Sequence, residues 1–178
     1  MEKLLKIPYA VFNDWDLLQQ FLERKGNPRY ELVGDVDLSY KKDIFDLGNL
    51  VRVDDDLILS FSTIQSLGNL EYVGGNLYLH ETPIESLGNL EYLGGHLRLR
   101  GSSIKSLGNL EYVGGDLDLL NTPIQSLGNL VRVDGCLNLH KTSIQSLGNL
   151  QYVGDEIILS RDHQIPPKQL TKFEIEYW

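Results

Sequence analysis

The chain reads as a repeat solenoid, a stack of near-identical turns, on three grounds. The run Ser-Leu-Gly-Asn-Leu occurs five times, at Ser66–Leu70, Ser86–Leu90, Ser106–Leu110, Ser126–Leu130 and Ser146–Leu150. Asp46–Leu50 is a sixth copy that differs only in its first residue, and the interval is twenty residues throughout. A fixed period of this length makes each copy one structural unit, able to bury its apolar face only against its neighbours. Between the copies, apolar residues alternate with variable ones, as in Leu77-Tyr78-Leu79, which is the period-two signature of a short strand. The period fades at both ends, where residues 1–33 and 166–178 follow other patterns.

Residues 1–33 are predicted to form an amino-terminal cap. Asn13 or Asp14 can N-cap a helix over about residues 14–25, with Trp15, Leu18 and Leu22 on one face and Gly26 closing it. Asn27-Pro28 then leads into the first strand. Residues 34–165 hold about six and a half repeats. In the unit Leu77–Leu97 the strand is followed by Thr82 and Ile84; Ser62, Ser102, Thr122 and Thr142 take the place of Thr82 elsewhere. Leu87, Leu90 and Leu93 then point inward at three-residue spacing, which suits a short 3₁₀-like or irregular return. Gly94-Gly95 turns the chain into the next strand, where a Cβ would clash or φ would be positive. Set in this register, the sequence predicts seven strands in one parallel sheet, centred on Asp37, Ile58, Tyr78, Arg98, Asp118, Asn138 and Ile158. The first and last units each carry one extra residue, before Ile44 and Ile165. Such a sheet leaves open edges, so both ends need covering. Pro166-Pro167 breaks the repeat, and residues 166–178 are predicted as a carboxy-terminal cap. There Leu170, Phe173 and Tyr177 suit a helix, whereas Phe173, Ile175 and Tyr177 suit a strand.

The pattern Leu77-x-Leu79-x-x-Thr82-x-Ile84-x-x-Leu87-x-x-Leu90 resembles the leucine-rich repeat, L-x-L-x-x-N-x-I-x-x-L-x-x-L, over roughly residues 34–165. Two features depart from it. Ser or Thr stands at the family's Asn, and its hydroxyl can still bond turn backbone, with fewer donors than an amide. The preceding apolar residue (Val73, Leu93, Val113, Val133, Val153) sits four positions before the strand leucine rather than three. That Val-Gly-Gly spacing is closer to the compact repeats of receptor L-domain-like and some bacterial or phage proteins. The resemblance implies a right-handed superhelix with a short irregular or 3₁₀ convex side and no long convex helix. It also implies a protein-binding role for the sheet, in some members as an inhibitor, and makes a host–virus setting an expectation.

Comparing equivalent positions separates what the repeat fixes from what it leaves free. The return segment is nearly invariant, whereas the outward strand positions differ. Their first column reads Asp35, Asp56, Asn76, His96, Asp116, Cys136, Glu156, and the middle column is the set of strand centres given above. The third reads Ser39, Ser60, His80, Arg100, Leu120, His140, Ser160. Solvent-facing sites drift where nothing constrains them, yet the exposed Asn of every Gly-Asn pair has not drifted. The sheet face is therefore the expected binding surface. On it the carboxylates of Asp35, Asp37, Asp56, Asp116, Asp118 and Glu156 surround Tyr78, His80, His96, Arg98 and Arg100. Arg98 shares a column with Asp118 one strand away, so an ion pair is expected between them, contributing about 0–1 kcal/mol if exposed. The candidate partner-binding residues are Tyr78, His80, His96, Arg98, Arg100, Asp116, Asp118, Asn138 and His140. Docking is expected around Tyr78, Arg98 and Arg100, since Tyr and Arg are frequent anchors. A further column, Arg52, Tyr72, Tyr92, Tyr112, Arg132 and Tyr152, is expected to stack, with Arg132 between Tyr112 and Tyr152. The same aromatic strip could serve as a contact surface instead. The Asn column from Asn49 to Asn149 is expected to form an amide ladder that satisfies turn backbone groups.

Composition bounds the function. At 178 residues the chain suits one domain, and its net charge of −9 disfavours nucleic acid while suiting solubility or a basic protein partner. No apolar run approaches the length of a membrane span, and MEKLLKIPYAVFNDWD lacks the sustained apolar core of a secretory signal. Cys136 is the only cysteine, so no intrachain disulfide can form, and the cytoplasm is the expected compartment. Signals for catalysis are weak. Every Gly-Gly precedes a strand rather than a phosphate-cradling helix. His96, Asp116 and Cys136 share a column, but two strand spacings put the thiol about 9.6 Å from the imidazole, too far for a nucleophile–base contact. His80, His96 and Asp116 lack metal-ligand spacing, and an open sheet excludes little water. The expectation is a monomeric, non-catalytic protein-binding module without cofactor or metal. The alternative is a structural protein that associates through its ends, residues 166–178 included, or through the aromatic strip. An enzyme or metal protein is the remote third reading.

Overall fold

Each twenty-residue unit closes one turn of a β-solenoid around a continuous apolar core. The computed structural model describes residues 4–178, so residues 1–3 of the amino-terminal segment read above lie outside the described residues. All seven predicted strand centres fall in one parallel sheet, here called the front sheet, from Val36–Asp37 through Leu77–Tyr78 and Leu97–Arg98 to Glu156–Leu159. Neighbours pair in register, Leu77 with Leu97 and Tyr78 with Arg98. The alternation has the expected consequence: Leu77 and Leu79 are fully buried while Tyr78 between them is half-exposed.

The return segment is short and largely irregular, as expected, but holds a short strand in each repeat in place of a 3₁₀ turn. It holds a second eight-stranded parallel sheet, the return sheet, which runs from Leu5–Pro8 and Tyr30–Val33 through Tyr72–Val73 and Tyr92–Leu93 to Tyr152–Val153. The one 3₁₀ helix among the described residues is Tyr9–Val11. The reason lies in the pair Tyr-Val or Tyr-Leu, in which the ring faces out and the aliphatic residue faces in. Two residues make a strand when identical backbone lies in register on both sides. The three-residue spacing of Leu87, Leu90 and Leu93 concealed this alternation. All three are fully buried, as are Ile84 and their counterparts Ile104, Leu110 and Val113 in the next unit.

Corners are held by small polar groups. The Thr82, Thr122 and Thr142 hydroxyls donate to the carbonyl oxygens of Leu79, Leu119 and Leu139 at 2.9, 2.8 and 2.7 Å. Ser102 occupies the same place, yet its hydroxyl is buried without a hydrogen-bond partner. At Gly94 the requirement is space: a Cβ there would lie 2.1 Å from the Gly74 carbonyl oxygen. Positive φ belongs to the other glycine column, in Leu-Gly-Asn, where Gly68 has φ 58° and Gly128 has φ 56°.

That Leu-Gly-Asn corner alternates from turn to turn although its sequence does not. The Asn69, Asn109 and Asn149 backbone N–H groups donate to the carbonyls of Gly48, Gly88 and Gly128, each at 3.0 Å. Across the intervening gaps it is the Asn89 and Asn129 side-chain amides that donate, to Gly68 O at 3.2 Å and Gly108 O at 3.4 Å. The expected amide ladder is therefore realised side chain to side chain only from Asn69 to Asn49, at 3.1 Å, among the described residues. Elsewhere these asparagines satisfy backbone, and the corner's structural period is two sequence repeats.

At the first turn, α1 (Trp15–Arg24) is N-capped by Asp14, whose carboxylate accepts from Leu17 N–H at 2.9 Å. Its Trp15, Leu18 and Leu22 are buried in the core. Both Leu5–Pro8 and Tyr30–Val33 already belong to the return sheet, so the sheet begins within the segment read as a cap. At the other end the strand alternative is realised at Ile175 and Tyr177, and of the helical set only Leu170 lies in a helix. Pro166-Pro167 starts the one-turn α2 (Pro167–Leu170), and Glu174–Tyr177 then adds an eighth strand to the front sheet, parallel to Glu156–Leu159. Gln169 accepts from Leu147 N–H at 2.9 Å and Lys172 donates to Leu150 O at 3.0 Å, which ties α2 and the residues after it to the last corner. Among the described residues, no helix is long and apolar enough to cross a membrane.

Candidate functional site

The nine predicted partner-binding residues all lie on the front sheet or at its strand ends, but they are not equally free to act. The first column turns out to be part of the scaffold. Asp35 accepts from Asp56 N–H at 3.1 Å, Asp56 from Asn76 N–H at 2.7 Å, and Asn76 from His96 N–H at 2.7 Å. The series continues as His96 Nδ1 accepts from Asp116 N–H at 2.9 Å and Asp116 from Cys136 N–H at 3.1 Å. Residues that look divergent by letter thus share one property, a short side chain with an acceptor lone pair. His96 fits only with Nδ1 unprotonated, which places its proton on Nε2. The 3.4 Å approach of Nδ1 to the Asp116 carboxylate is secondary to that shorter bond.

Arg98 does not pair with Asp118. Its guanidinium donates to Asp116 Oδ2 at 3.0 Å, one turn on but in the first column. Asp118 instead accepts from Leu120 N–H at 3.0 Å, and Asp37 and Asn138 accept in the same way from Ser39 and His140 at 2.9 and 3.0 Å. A short carboxylate or amide reaches the backbone two residues on with little loss of freedom, so it closes locally before meeting a neighbour.

Tyr78, His80 and Arg100 remain at the centre of the face. The Tyr78 and His80 rings lie 6.5 Å apart. Burial pushes the His80 imidazole below its ordinary range; nearby Arg98 and Arg100 add to the effect and Asp118 opposes it. Arg100 is exposed and forms no ion pair among the described residues. With Phe61, His80 and Glu81 it lines an open depression of about 330 Å³.

His140 and Asn138 border a different feature, one that the repeat pattern did not reveal. Trp178, outside the repeats, places its ring 6.4 Å from His140 and lines a depression with Leu120, Asn138, His140 and Ile158. The same added strand brings Glu174 beside Glu156 and Glu176 beside Ile158. The alternation of Glu174 and Glu176 with Ile175 and Tyr177 carried this signal, but the competing helical reading masked it.

In the Cys–His–Asp column, Asp116 stands on the turn between those of His96 and Cys136 and is engaged by the Cys136 N–H and Arg98. The Cys136 thiol approaches Asp155 Oδ2 at 3.8 Å, and burial, reinforced by the carboxylates of Asp116, Asp155 and Glu156, pushes its pKa up. A thiol held protonated is a weak nucleophile. Ligand-capable atoms of Asp116, Cys136 and Asp155 lie within 4.8 Å of one another, but the Asp116 oxygens are engaged by Cys136 N–H and Arg98. His80 and His96 are not in that group.

On the return sheet, Tyr72, Tyr92 and Tyr112 stack at 4.8 and 4.9 Å between ring centres, with Arg52 3.6 Å over Tyr72. Arg132 lies 4.1 Å over Tyr152. Its expected contact with Tyr112 is replaced by a bridge, because the Tyr112 hydroxyl and Arg132 Nε both donate to Asp134, each at 2.5 Å. The strip is thus largely satisfied within itself.

No family model, no curated protein and no solved structure matches the chain.

Proposed function

We propose that the chain is a non-catalytic protein-binding module of the leucine-rich-repeat type, holding its partner on the front sheet. The observation that carries this reading is the division of labour across that sheet. From Asp35 to Asp116 the first column is committed to backbone hydrogen bonds, which leaves Tyr78, His80 and Arg100 as aromatic and cationic groups free at the centre of the sheet. Large aromatics and arginines are the side chains that most often anchor interfaces. A net charge of −9 favours a basic protein over nucleic acid as the partner. Binding of that kind would inhibit a basic enzyme by covering it. The single cysteine suits a reducing compartment, and we place the protein in the cytoplasm.

Tagged protein recovered from a lysate of the source organism tests the placement. Wild type should retain a stoichiometric partner, and Arg98→Glu/Arg100→Glu should reduce its recovery at least tenfold while the circular dichroism spectrum is unchanged. Equal recovery would rule out the centre of the front sheet as the anchor. Ordered oligomers of the purified chain, with no other protein retained, would favour the structural alternative.

A further inference from the structure

The end of the front sheet combines an apolar depression with uncompensated negative charge. Leu120, Asn138, His140, Ile158 and Trp178 enclose about 280 Å³, just below the ~300–1,000 Å³ typical of small-molecule sites. The space is open on one side and suits one or two side chains of an extended segment. Trp178 is 65% exposed there, whereas Trp15, the other tryptophan, is 5% exposed.

Beside the depression stand four carboxylates. Glu176 is register-paired with Ile158, so it lies at the depression's edge, and Glu174 pairs with Glu156 one position-pair further along. Asp155 adjoins them. None of the four forms an ion pair among the described residues, in contrast to Asp16, Glu31, Asp54, Glu71, Glu85, Asp116 and Asp134. Partial burial first, then the neighbouring carboxylates of Glu176, Glu174 and Asp155 and a hydrogen bond with Glu176, push the Glu156 carboxyl above its ordinary range. A second copy of this chain is a poor occupant. Pairing two Glu174–Tyr177 edges would bring Glu174 and Glu176 of each copy against those of the other, and like charges facing across strands destabilise. The complement of this surface is an aliphatic side chain flanked by cations.

From this complementarity we infer that the Trp178 end of the front sheet receives a basic, extended segment of the protein partner, its aliphatic residue seated against Trp178 and its Lys or Arg residues on the Glu174–Glu176 strip. The inference rests on the front-sheet reading above and adds the chemistry of the partner.

The probe is the peptide acetyl-Lys-Leu-Lys-Leu-Lys-amide, titrated into the full chain while Trp178 emission is followed. Burial of the exposed indole should shift emission to the blue with saturation. The shift should weaken as salt is raised, because the attraction is screened. Replacing Leu by Ser, or Lys by Glu, in the peptide should weaken binding at least tenfold. Glu174→Lys/Glu176→Lys should do the same, and the gentler Glu174→Gln/Glu176→Gln guards against misfolding of the first variant. The inference fails if the Leu and Ser peptides behave alike, if neither Glu variant changes the titration, or if sedimentation shows a dimer that itself buries Trp178. Its failure is separable from that of the front-sheet reading. If the peptide does not bind but partner recovery still depends on Arg98 and Arg100, only the basic-segment inference falls. If neither the arginine pair nor the glutamate pair affects partner recovery, the front-sheet reading falls.

Discussion

At the level of single residues, the repeat provides its own controls. Thr82, Thr122 and Thr142 show what the hydroxyl of that column does, and Ser102 shows the same place without the bond. Ser102→Thr should adopt the rotamer of its counterparts and stabilise the fold by about 1 kcal/mol, the typical net worth of one hydrogen bond. Denaturant unfolding should show the midpoint move up with the slope unchanged. His80 sets a pH dependence. Burial lowers its pKa in the folded chain, so the unfolded chain takes up the proton first as pH falls. Stability linked to His80 is thus present above the ordinary imidazole range and declines as pH drops through it, and His80→Gln should flatten that part of the stability–pH curve. Residue letters also explain what the sequence hid. Asp56, Asn76 and His96 look like divergence, yet each offers the same lone pair to the next backbone N–H. A comparison by residue identity cannot register a constraint on one acceptor atom.

At the level of the strand and corner, period-two alternation around Leu77 and Leu79 and the twenty-residue spacing made the front sheet legible, strand by strand. The return sheet was not legible, because its two-residue strands lie within a leucine run of three-residue spacing. Nor does anything in six copies of Leu-Gly-Asn announce alternating corners. That alternation has a measurable consequence. At Gly128, Ala meets nothing within 4 Å and carries only the cost of positive φ, about 1–2 kcal/mol. At Gly68, Ala carries that cost and also places Cβ 2.4 Å from the Gly48 carbonyl oxygen, adding roughly 1–3 kcal/mol of overpacking. Gly68→Ala should therefore destabilise distinctly more than Gly128→Ala in parallel urea titrations. Equal effects would mean that all corners are equivalent.

For the molecule as a whole, every turn depends on its neighbours, so the ends decide how unfolding starts. Residues 166–178 supply the buried Leu170, the partly buried Ile175 and the strand that covers Glu156–Leu159. Deleting them should expose fully buried Ile157 and Leu159, lower the melting temperature, and raise amide exchange at residues 137–159 well above that at residues 57–79. The same added strand brings Trp178 and the carboxylates of Glu174 and Glu176 to the front sheet, so it serves both closure and the proposed recognition. The central functional claim separates the two sheets, and their tyrosines report on each. Hydroxyl-radical footprinting of the chain alone and in complex with its co-purified partner compares Tyr78 on the front sheet with Tyr92 and Tyr152 on the return sheet. Front-sheet placement of the partner should slow oxidation of Tyr78 several-fold and leave Tyr92 and Tyr152 unchanged. Protection of Tyr92 and Tyr152 with Tyr78 still reactive would contradict it and make the aromatic strip the contact surface.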